Sequence, residues 1–468
     1  MAGLIFLYGA PASGKSTLGR RLASALHIDF MDLDEEIVRN VGRSIPEIFA
    51  TEGEGVFRAY ESEALSRVCR RAEAISSEPC GAVVALGGGT LLDDENRLLA
   101  ERVGMVWCLA TPERDELARR LAQSSASRPL GDRSTERQAH YATFKRRVAG
   151  WFDLESSLVV IGEGISPAVL TGRKVVADAT VAALHSDILP PPIVTLPSGE
   201  QYKVLATVEK IWDGFGRAEL GRKDTVVAVG GGVTGDLTGF AAATFMRGIG
   251  WINVPTTLLA MVDASTGGKT GCDRPGGKNL VGAFHSPGLV VIDVEFLKTL
   301  RAPVLNEGKA EMIKHEIIGG RTVGGGGRLT AGRIAENLSV KVGIVREDPF
   351  ERSGKRLLLN CGHTVAHAVE KLSDYTISHG AAVAIGCVAE ARLAVRRGLA
   401  PAGWPAELGA VFAAEGLPTE IPSDMAGTAV VQAMKEDKKR EGSVVTFALP
   451  CGWGDVRAVP IDLSEETL

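Results

Sequence analysis

The chain has 468 residues with 52 basic and 57 acidic side chains, a formal net charge of −5, and is 45% hydrophobic and 23% charged. At roughly 100 to 200 residues per domain this length implies two to four domains rather than one binding module, and the ordinary apolar content excludes disorder as the main theme. Neither half carries a basic excess, which disfavours a nucleic-acid partner, and no apolar run approaches the ~20 residues of a membrane span.

The first apolar stretch, Leu4–Tyr8, has no Lys or Arg before it and is too short for a secretion signal. Seven cysteines (69, 80, 108, 272, 361, 387, 451) form no C-x-x-C pair and read as reduced core thiols. A cytoplasmic protein with small-molecule partners is expected, with no nucleic acid and no membrane.

In chain order, short β-rich runs at Leu4–Tyr8, Ala82–Leu86, Met105–Leu109, Val226–Val229 and Val290–Ile292 alternate with longer amphipathic segments. That alternation predicts α/β layers built on parallel sheets. The pattern loosens over residues 162–172 and a fresh strand starts at Lys174, which places the main boundary there. After Leu300 alanine-rich helical periodicity dominates, so the last third is expected to be helical. The glycine-dense stretch 319–332 has no strand before it and no Gly-Lys-Ser after it, and reads as a linker. Val83–Gly89 and Val226–Gly232 are alike in sequence but not in their flanks. Each reads as a buried strand ending in glycines where backbone must approach a ligand.

Gly9-Ala-Pro-Ala12-Ser13-Gly14-Lys15-Ser16 matches G-x-x-x-x-G-K-S between the first strand and the amphipathic run Thr17–Leu26. The glycines let backbone N–H groups curl around phosphates at a helix N-terminus, Lys15 adds a point charge, and the Ser16 hydroxyl suits Mg²⁺. Downstream, Phe30-Met-Asp32-Leu-Asp34 reads as a strand end with both carboxylates on one face. Phe57-Arg58-x-x-Glu61 and the turn Gly87-Gly88-Gly89 follow.

In this order the four elements resemble shikimate kinase over residues 1–165. The resemblance implies that Gly9, Ala12, Ser13, Gly14, Lys15, Ser16 and Thr17 hold ATP, that Ser16 and Asp32 serve Mg²⁺, and that Asp34, Arg58 and Gly88 hold shikimate. It further implies a lid arginine at Arg128 and a second substrate arginine at Arg137, a role for which Arg133 competes.

Val226-Val-Ala-Val-Gly230-Gly231-Gly232-Val233-Thr-Gly-Asp236 is a buried strand running into glycines. It is followed by Met246-Arg247-Gly248, Pro255-Thr256-Thr257, Asp263, Gly268-Lys269-Thr270 and Gly277-Lys278-Asn279, and preceded by Asp178 and by Glu200-Gln-Tyr-Lys203. Farther on come Ala310-Glu311-Met-Ile-Lys314, Asn360-Cys-Gly-His363-Thr-Val-Ala-His367 and His379-Gly380. Three histidines clustered near a carboxylate segment read as a metal site, and two His plus one carboxylate with an open position is a catalytic arrangement.

The whole succession resembles 3-dehydroquinate synthase. What the resemblance implies is NAD⁺ on Asp178, Glu200, Lys203, Gly231, Gly232, Val233, Asp236, Thr256, Thr257, Asp263 and Lys278. Zn²⁺ or Co²⁺ falls to Glu311, His363 and His379, with His367 as proton carrier. Arg247, Lys269, Asn279, Lys314, Lys341, Arg356, Asn360 and one of Lys438 or Lys439 cage the phosphate and carboxylate of 3-deoxy-arabino-heptulosonate 7-phosphate. Departures are Thr180 for an asparagine, Ala381 for a glutamate after the second metal histidine, Ala366 for a glycine, Arg301 and Val304 for a Pro and a Glu, and a short stretch between Glu311 and His363.

The expected architecture is therefore α/β throughout its first two parts: a P-loop kinase three-layer α/β/α domain (1–165), a Rossmann-like NAD-binding α/β domain (166–300) and a mostly helical zinc and substrate domain (301–468). The expected activities are ATP-dependent 3-phosphorylation of shikimate and NAD⁺/zinc-dependent conversion of the heptulosonate phosphate to 3-dehydroquinate and phosphate. Two alternatives stand beside this: a second half turned regulatory or scaffolding module, or one acting as a polyol dehydrogenase or 2-deoxy-inosose-type synthase. A homodimer through the synthase half is the expected assembly.

Overall fold

The computed structural model describes residues 4–74, 81–110, 139–275, 277–320, 327–437 and 444–464. The first part comprises β1 (Leu4–Tyr8), α1 (Lys15–Leu26), β2 (Asp29–Asp32), α2 (Leu33–Val41), α3 (Ile45–Ala74, broken at Gly53), β3 (Ala82–Ala85), α4 (Asp94–Val103), β4 (Gly104–Leu109) and the hairpin β5 (Arg147–Asp153) and β6 (Leu158–Glu163). The second holds α5 (Ser166–Leu170), β7 (Lys174–Asp178), α6 (Ala179–Leu184), β8 (Val194–Leu196), α7 (Leu205–Arg217), β9 (Thr225–Gly230), α8 (Gly232–Thr244), β10 (Gly250–Pro255), a ribbon of β11 (Lys269–Arg274) and β12 (Gly277–Phe284), and β13 (Leu289–Asp293). The third holds α9 (Ala302–Gly319), α10 (Ala331–Glu347), α11 (His363–Leu372), α12 (His379–Arg396), α13 (Trp404–Ala414), α14 (Gly427–Asp437) and the hairpin β14 (Val444–Gly452) and β15 (Asp455–Asp462).

Eleven strands form one sheet in the order β2-β3-β1-β4-β5-β6-β13-β10-β9-β7-β8. The unbroken apolar runs of β1, β3, β9 and β13 are what strands covered by helices on both faces require. Neighbours pair parallel except β5 and β6, which pair antiparallel, Trp151 opposite Val160. The expected parallel sheets are thus two half-sheets of opposite strand direction, joined by one hairpin.

The join is packed as a core. Leu18 and Leu22 of α1, Val159 and Ile161 of β6, Val291 of β13, and Leu338 and Val342 of α10 belong to one cluster, each with at most 1% exposure. Burial on that scale contributes ~1.5–3 kcal/mol per side chain. Polar ties follow the same line. Arg21 of α1 donates to the Asp153 carboxylate at 2.6 Å, Arg346 of α10 to the Asp153 carbonyl at 2.9 Å, and Arg173 to the carbonyl of Leu26 at 3.1 Å.

Because β6 pairs with β13 residue for residue from Leu158 to Gly162, removing it bares a strand whose five residues are all buried. A fragment 156–468, cut in the β5–β6 turn, is expected to stay soluble, whereas 165–468 is expected to aggregate. Equal solubility and melting temperature of the two would refute the shared-strand reading.

The helical expectation for the last third misses β14 and β15. Val445, Phe447 and Leu449 alternate in period two, and with Ala448 they close the core formed by α9 and α11 to α14. Of the glycine-dense stretch, Gly319 closes α9 with Gly320 (φ 77) as its C-cap, Thr330 caps α10 by accepting from the Arg333 N–H, and residues 321–326 lie outside the described residues.

Candidate active sites

The phosphate loop lies where strand, loop and helix order place it, between β1 and α1. Positive φ at Gly9 (137), Ala12 (60) and Gly14 (94) curls it, and a Cβ on Gly9 would come within 2.9 Å of the Leu109 carbonyl. The Lys15 ammonium donates to the carbonyls of Gly9 and Ala10 at 2.9 and 2.8 Å. Ser13 is buried, and Ser16 and Thr17 open α1. The Ser16 hydroxyl donates to Asp32 at 2.6 Å, a hydroxyl–carboxylate pair that fits Mg²⁺.

Asp34 departs from its expectation. β2 ends at Asp32, whose carboxylate caps α2 by accepting from the Asp34 N–H at 3.1 Å, so Asp34 is helical and does not share a strand face with Asp32. It still reaches the site, because a Cβ on Gly87 would lie 3.3 Å from the Asp34 carboxylate and 2.3 Å from that of Glu61. Arg58 meets the same turn: a Cβ on Gly89 would stand 2.7 Å from its guanidinium. Gly88 abuts Pro11 of the loop, and its carbonyl accepts from the Tyr141 hydroxyl at 2.7 Å. Glu61, not singled out from the sequence as a site residue, is 1% exposed; it ion-pairs with Arg58 and accepts from the Thr90 hydroxyl at 2.8 Å. Arg128, Arg133 and Arg137 lie outside the described residues.

In the second half β9 runs into Gly231 and Gly232 at the start of α8, whose first turn includes Val233 and has no side-chain cap. Gly231 packs on Thr257, and the Thr256 N–H donates to the Gly230 carbonyl at 2.9 Å. Asp178 ends β7 and caps α6 through the N–H groups of Thr180 and Val181. Lys203 is 5% exposed, 2.6 Å from the Asp236 carboxylate and 2.7 Å from the Asn279 amide oxygen. Such an uncapped helix start beside a glycine turn suits a dinucleotide pyrophosphate.

Asp263 sits in the π-helical turn Ala260–Ala264, a form frequent at functional sites. Lys341 donates to its carboxylate and its carbonyl, both at 2.6 Å. Burial opposes the charge, yet Lys341 and Lys314 hold Asp263 below the usual carboxylate range. Arg356, 3% exposed, donates to the Gly267 carbonyl at 3.2 Å, while Lys269 pairs with Glu351 at 2.6 Å. Asn360 is exposed at the turn before α11. Arg247 is not gathered in: it stands exposed with φ 69 just past the end of α8 opposite its glycine start. Lys438 and Lys439 lie outside the described residues.

The metal candidates converge on a fully buried Glu311 in α9. Its Oε1 takes no hydrogen bond and faces Nε2 of His363 at 3.5 Å and of His379 at 3.6 Å, while Lys314 lies against Oε2. Each imidazole is turned by its other nitrogen: His363 Nδ1 lies 3.1 Å from the Cys361 carbonyl and His379 Nδ1 3.5 Å from the Glu370 carboxylate. That leaves both Nε2 atoms facing one orphaned carboxylate oxygen, a donor set that fits Zn²⁺ or Co²⁺. Burial and then Lys314 push His363 down to about 3, toward the unprotonated imidazole a metal needs, whereas against burial the Glu311 and Glu370 carboxylates raise His379 to about 10. His367, one turn on from His363 with ring centroids 5.6 Å apart, is exposed.

Helix packing delivers this geometry. A Cβ on Gly386 would fall 2.0 Å from the Gly362 carbonyl, so α11 and α12 touch backbone to backbone. Buried Glu390 of α12 then caps α11 by accepting from the Gly362 N–H at 2.9 Å. Asp263, Glu311 and His315 form a second trio of donors that shares Glu311 with the first, but the Lys341 ammonium 2.6 Å from the Asp263 carboxylate disfavours a dication there. Glu370 and Glu390 were both missed in the sequence, although Glu370 follows His363 by about two turns on one helix face, which is the available signal.

Fold and sites together define a chain with a P-loop phosphotransferase at one end and a dinucleotide- and metal-dependent enzyme at the other. Residues 11–170 match the family model of shikimate kinase, 193–307 that of the 3-dehydroquinate synthase N-terminal part and 308–440 that of its C-terminal part. The bifunctional shikimate kinase/3-dehydroquinate synthase of Thermotoga maritima is 34% identical over 439 residues, 85% of this chain and 86% of that one. The 3-dehydroquinate synthase of Synechococcus sp. is 44% identical over 323 residues, 65% and 86% of the two chains. A solved structure of 2-epi-5-epi-valiolone synthase from Streptomyces hygroscopicus subsp. jinggangensis, with NAD⁺ and Zn²⁺ bound, is 27% identical with a TM-score of 0.56, covering 61% of this chain and 86% of that one. The chain belongs to the bifunctional shikimate kinase/3-dehydroquinate synthase family.

Proposed function

We propose that the chain carries two complete catalytic centres, one phosphorylating the 3-hydroxyl of shikimate from ATP and one converting 3-deoxy-D-arabino-heptulosonate 7-phosphate to 3-dehydroquinate and phosphate. The single observation that carries the second activity is the buried Glu311 oxygen faced by two oriented imidazoles.

In the kinase centre Lys15 neutralises charge on the transferred phosphoryl group, and Ser16 and Asp32 hold Mg²⁺. Asp34 orients the attacking hydroxyl and takes its proton, while the Arg58 fork clamps the substrate carboxylate over Gly88. Arg58→Lys keeps a cation beside buried Glu61 but loses the fork. It is expected to raise the shikimate KM ~10-fold with kcat changed far less. Steady-state kinetics with an unchanged KM would remove Arg58 from the site.

In the synthase centre Glu311, His363 and His379 hold the metal, and the nucleotide lies along Asp178, Lys203, Gly231 and Lys278. When bound, the metal supplies Lewis acidity to a substrate hydroxyl and NAD⁺ takes up and returns a hydride. Lys269, Lys314, Lys341 and Arg356 bind the anionic groups of the substrate, Asp263 holds Lys341 in place, and His367 moves a proton at its exposed imidazole. The three regions 1–165, 166–300 and 301–468 are the functional divisions of this reading.

A cytoplasmic setting and a homodimer formed through the synthase half complete the proposal. Six described cysteines are buried and form no disulfide, which suits a reducing compartment, and no described helix is long and apolar enough to cross a membrane. Assaying both reactions on one purified sample tests the whole. Phosphate released from the heptulosonate phosphate, but not from other sugar phosphates, separates this reading from the inosose-type and regulatory alternatives.

A further inference from the structure

The roles above leave one contact of Glu370 unexplained. Its side chain, 6% exposed on α11, is addressed at a single carboxylate oxygen from two sides: Oε1 lies 3.5 Å from His379 Nδ1 and 3.6 Å from the Lys278 ammonium. Lys278 comes from β12, in the nucleotide-binding region. It stands over the Tyr375 ring at 4.4 Å and 3.9 Å from Glu200, with 35% of its side chain exposed. One cation is thus shared between a carboxylate on the nucleotide side and a carboxylate that turns a metal ligand. Burial raises the Glu307 acid above the usual carboxylate range although it interacts with both His379 and Lys278, and among the described residues Lys278 meets Glu370 and the Tyr375 ring across the two regions.

We propose that Glu370 is a positioning residue that couples the nucleotide pocket to the metal centre through Lys278, so that NAD⁺ and the divalent metal bind with positive cooperativity. The proposal deepens the synthase reading and rests on it. An imidazole that donates Nδ1–H to a carboxylate is held in one orientation with Nε2 as the lone-pair donor, and its strength as a ligand rises with the charge left on that carboxylate. With Lys278 on Oε1, part of that charge is spent on the ammonium. In the synthase reading the nucleotide lies along Lys278 and Glu200, and its anionic groups compete for the same ammonium. Once Lys278 turns to them, Oε1 belongs to His379 alone and the ring is fixed on Glu311. Linkage makes the effect reciprocal, so bound metal strengthens NAD⁺ by the same factor.

The test is the zinc dissociation constant of the full chain, read by competition with a chromophoric chelator, with and without saturating NAD⁺. Wild type is expected to bind zinc about 10-fold more tightly with NAD⁺. Glu370→Gln is expected to bind zinc ~10–100-fold more weakly and to ignore NAD⁺. Lys278→Met, a change at a part-exposed side chain that keeps the test open should Glu370→Gln fail to fold, is expected without NAD⁺ to reach the affinity that wild type reaches with it. A wild-type zinc affinity indifferent to NAD⁺, or a Lys278→Met protein that binds zinc no more tightly than NAD⁺-free wild type, overturns the coupling alone. A wild-type chain that takes up no zinc overturns the metal centre itself and the coupling with it.

Discussion

Replacing Lys15 with methionine is expected to lower kcat for shikimate phosphorylation by on the order of 10³-fold while leaving the synthase activity of the same sample unchanged. The Lys15 ammonium spans the carbonyls of Gly9 and Ala10 across the mouth of the loop, so it is held where charge develops on the transferred group. Its side chain is only half-buried, and methionine keeps the length of the stem, so the fold should melt within a few degrees of wild type. The synthase serves as an internal control for folding. Retention of near wild-type kinase turnover would place the phosphoryl-transfer chemistry elsewhere.

His363→Ala is expected to reduce bound zinc from about one ion per chain to nearly none and to lower synthase kcat/KM by ~10³-fold or more. His363 opens α11 at the point where α11 and α12 touch through Gly362 and Gly386, and its imidazole lies between Glu311 and the ring of His379. Alanine preserves the helix start, which Glu390 holds through the Gly362 N–H, so the loss is of a ligand and not of the helix. Metal analysis and phosphate release are the measurements. Zinc retained in full would point to other ligands, and zinc lost with activity unchanged would remove the Lewis-acid role.

How much of this was legible in the amino-acid order differs from site to site. The phosphate loop was readable outright, because its chemistry lies within consecutive residues between a strand and a helix. The proposed metal ligands were readable as residue types, since Glu311, His363 and His379 stand in distinctive local patterns. Their orienting partners were not, because Glu370 and Glu390 act across a helix pair whose contact depends on two glycines. Asp34 shows the converse. A period-two reading put it on a strand face, but Asp32 is a strong N-cap, and the helix it starts takes Asp34 with it. The β14–β15 hairpin was lost in an alanine-rich third whose dominant signal is helical. The β5–β6 seam was invisible, because each strand reads alike whether its neighbour belongs to its own half or the other.

That seam has a bearing on where the two centres stand. In open α/β sheets, ligands gather beyond the carboxyl ends of the strands. Since the strand direction reverses at the hairpin, the carboxyl ends of β1 and β3 lie along one rim of the sheet and those of β9 and β10 along the other. The phosphate loop after β1 and the glycine turn after β9 therefore stand on opposite rims of the one sheet. The fusion thus ties the two half-sheets into one rigid sheet while their ligand-binding rims point opposite ways.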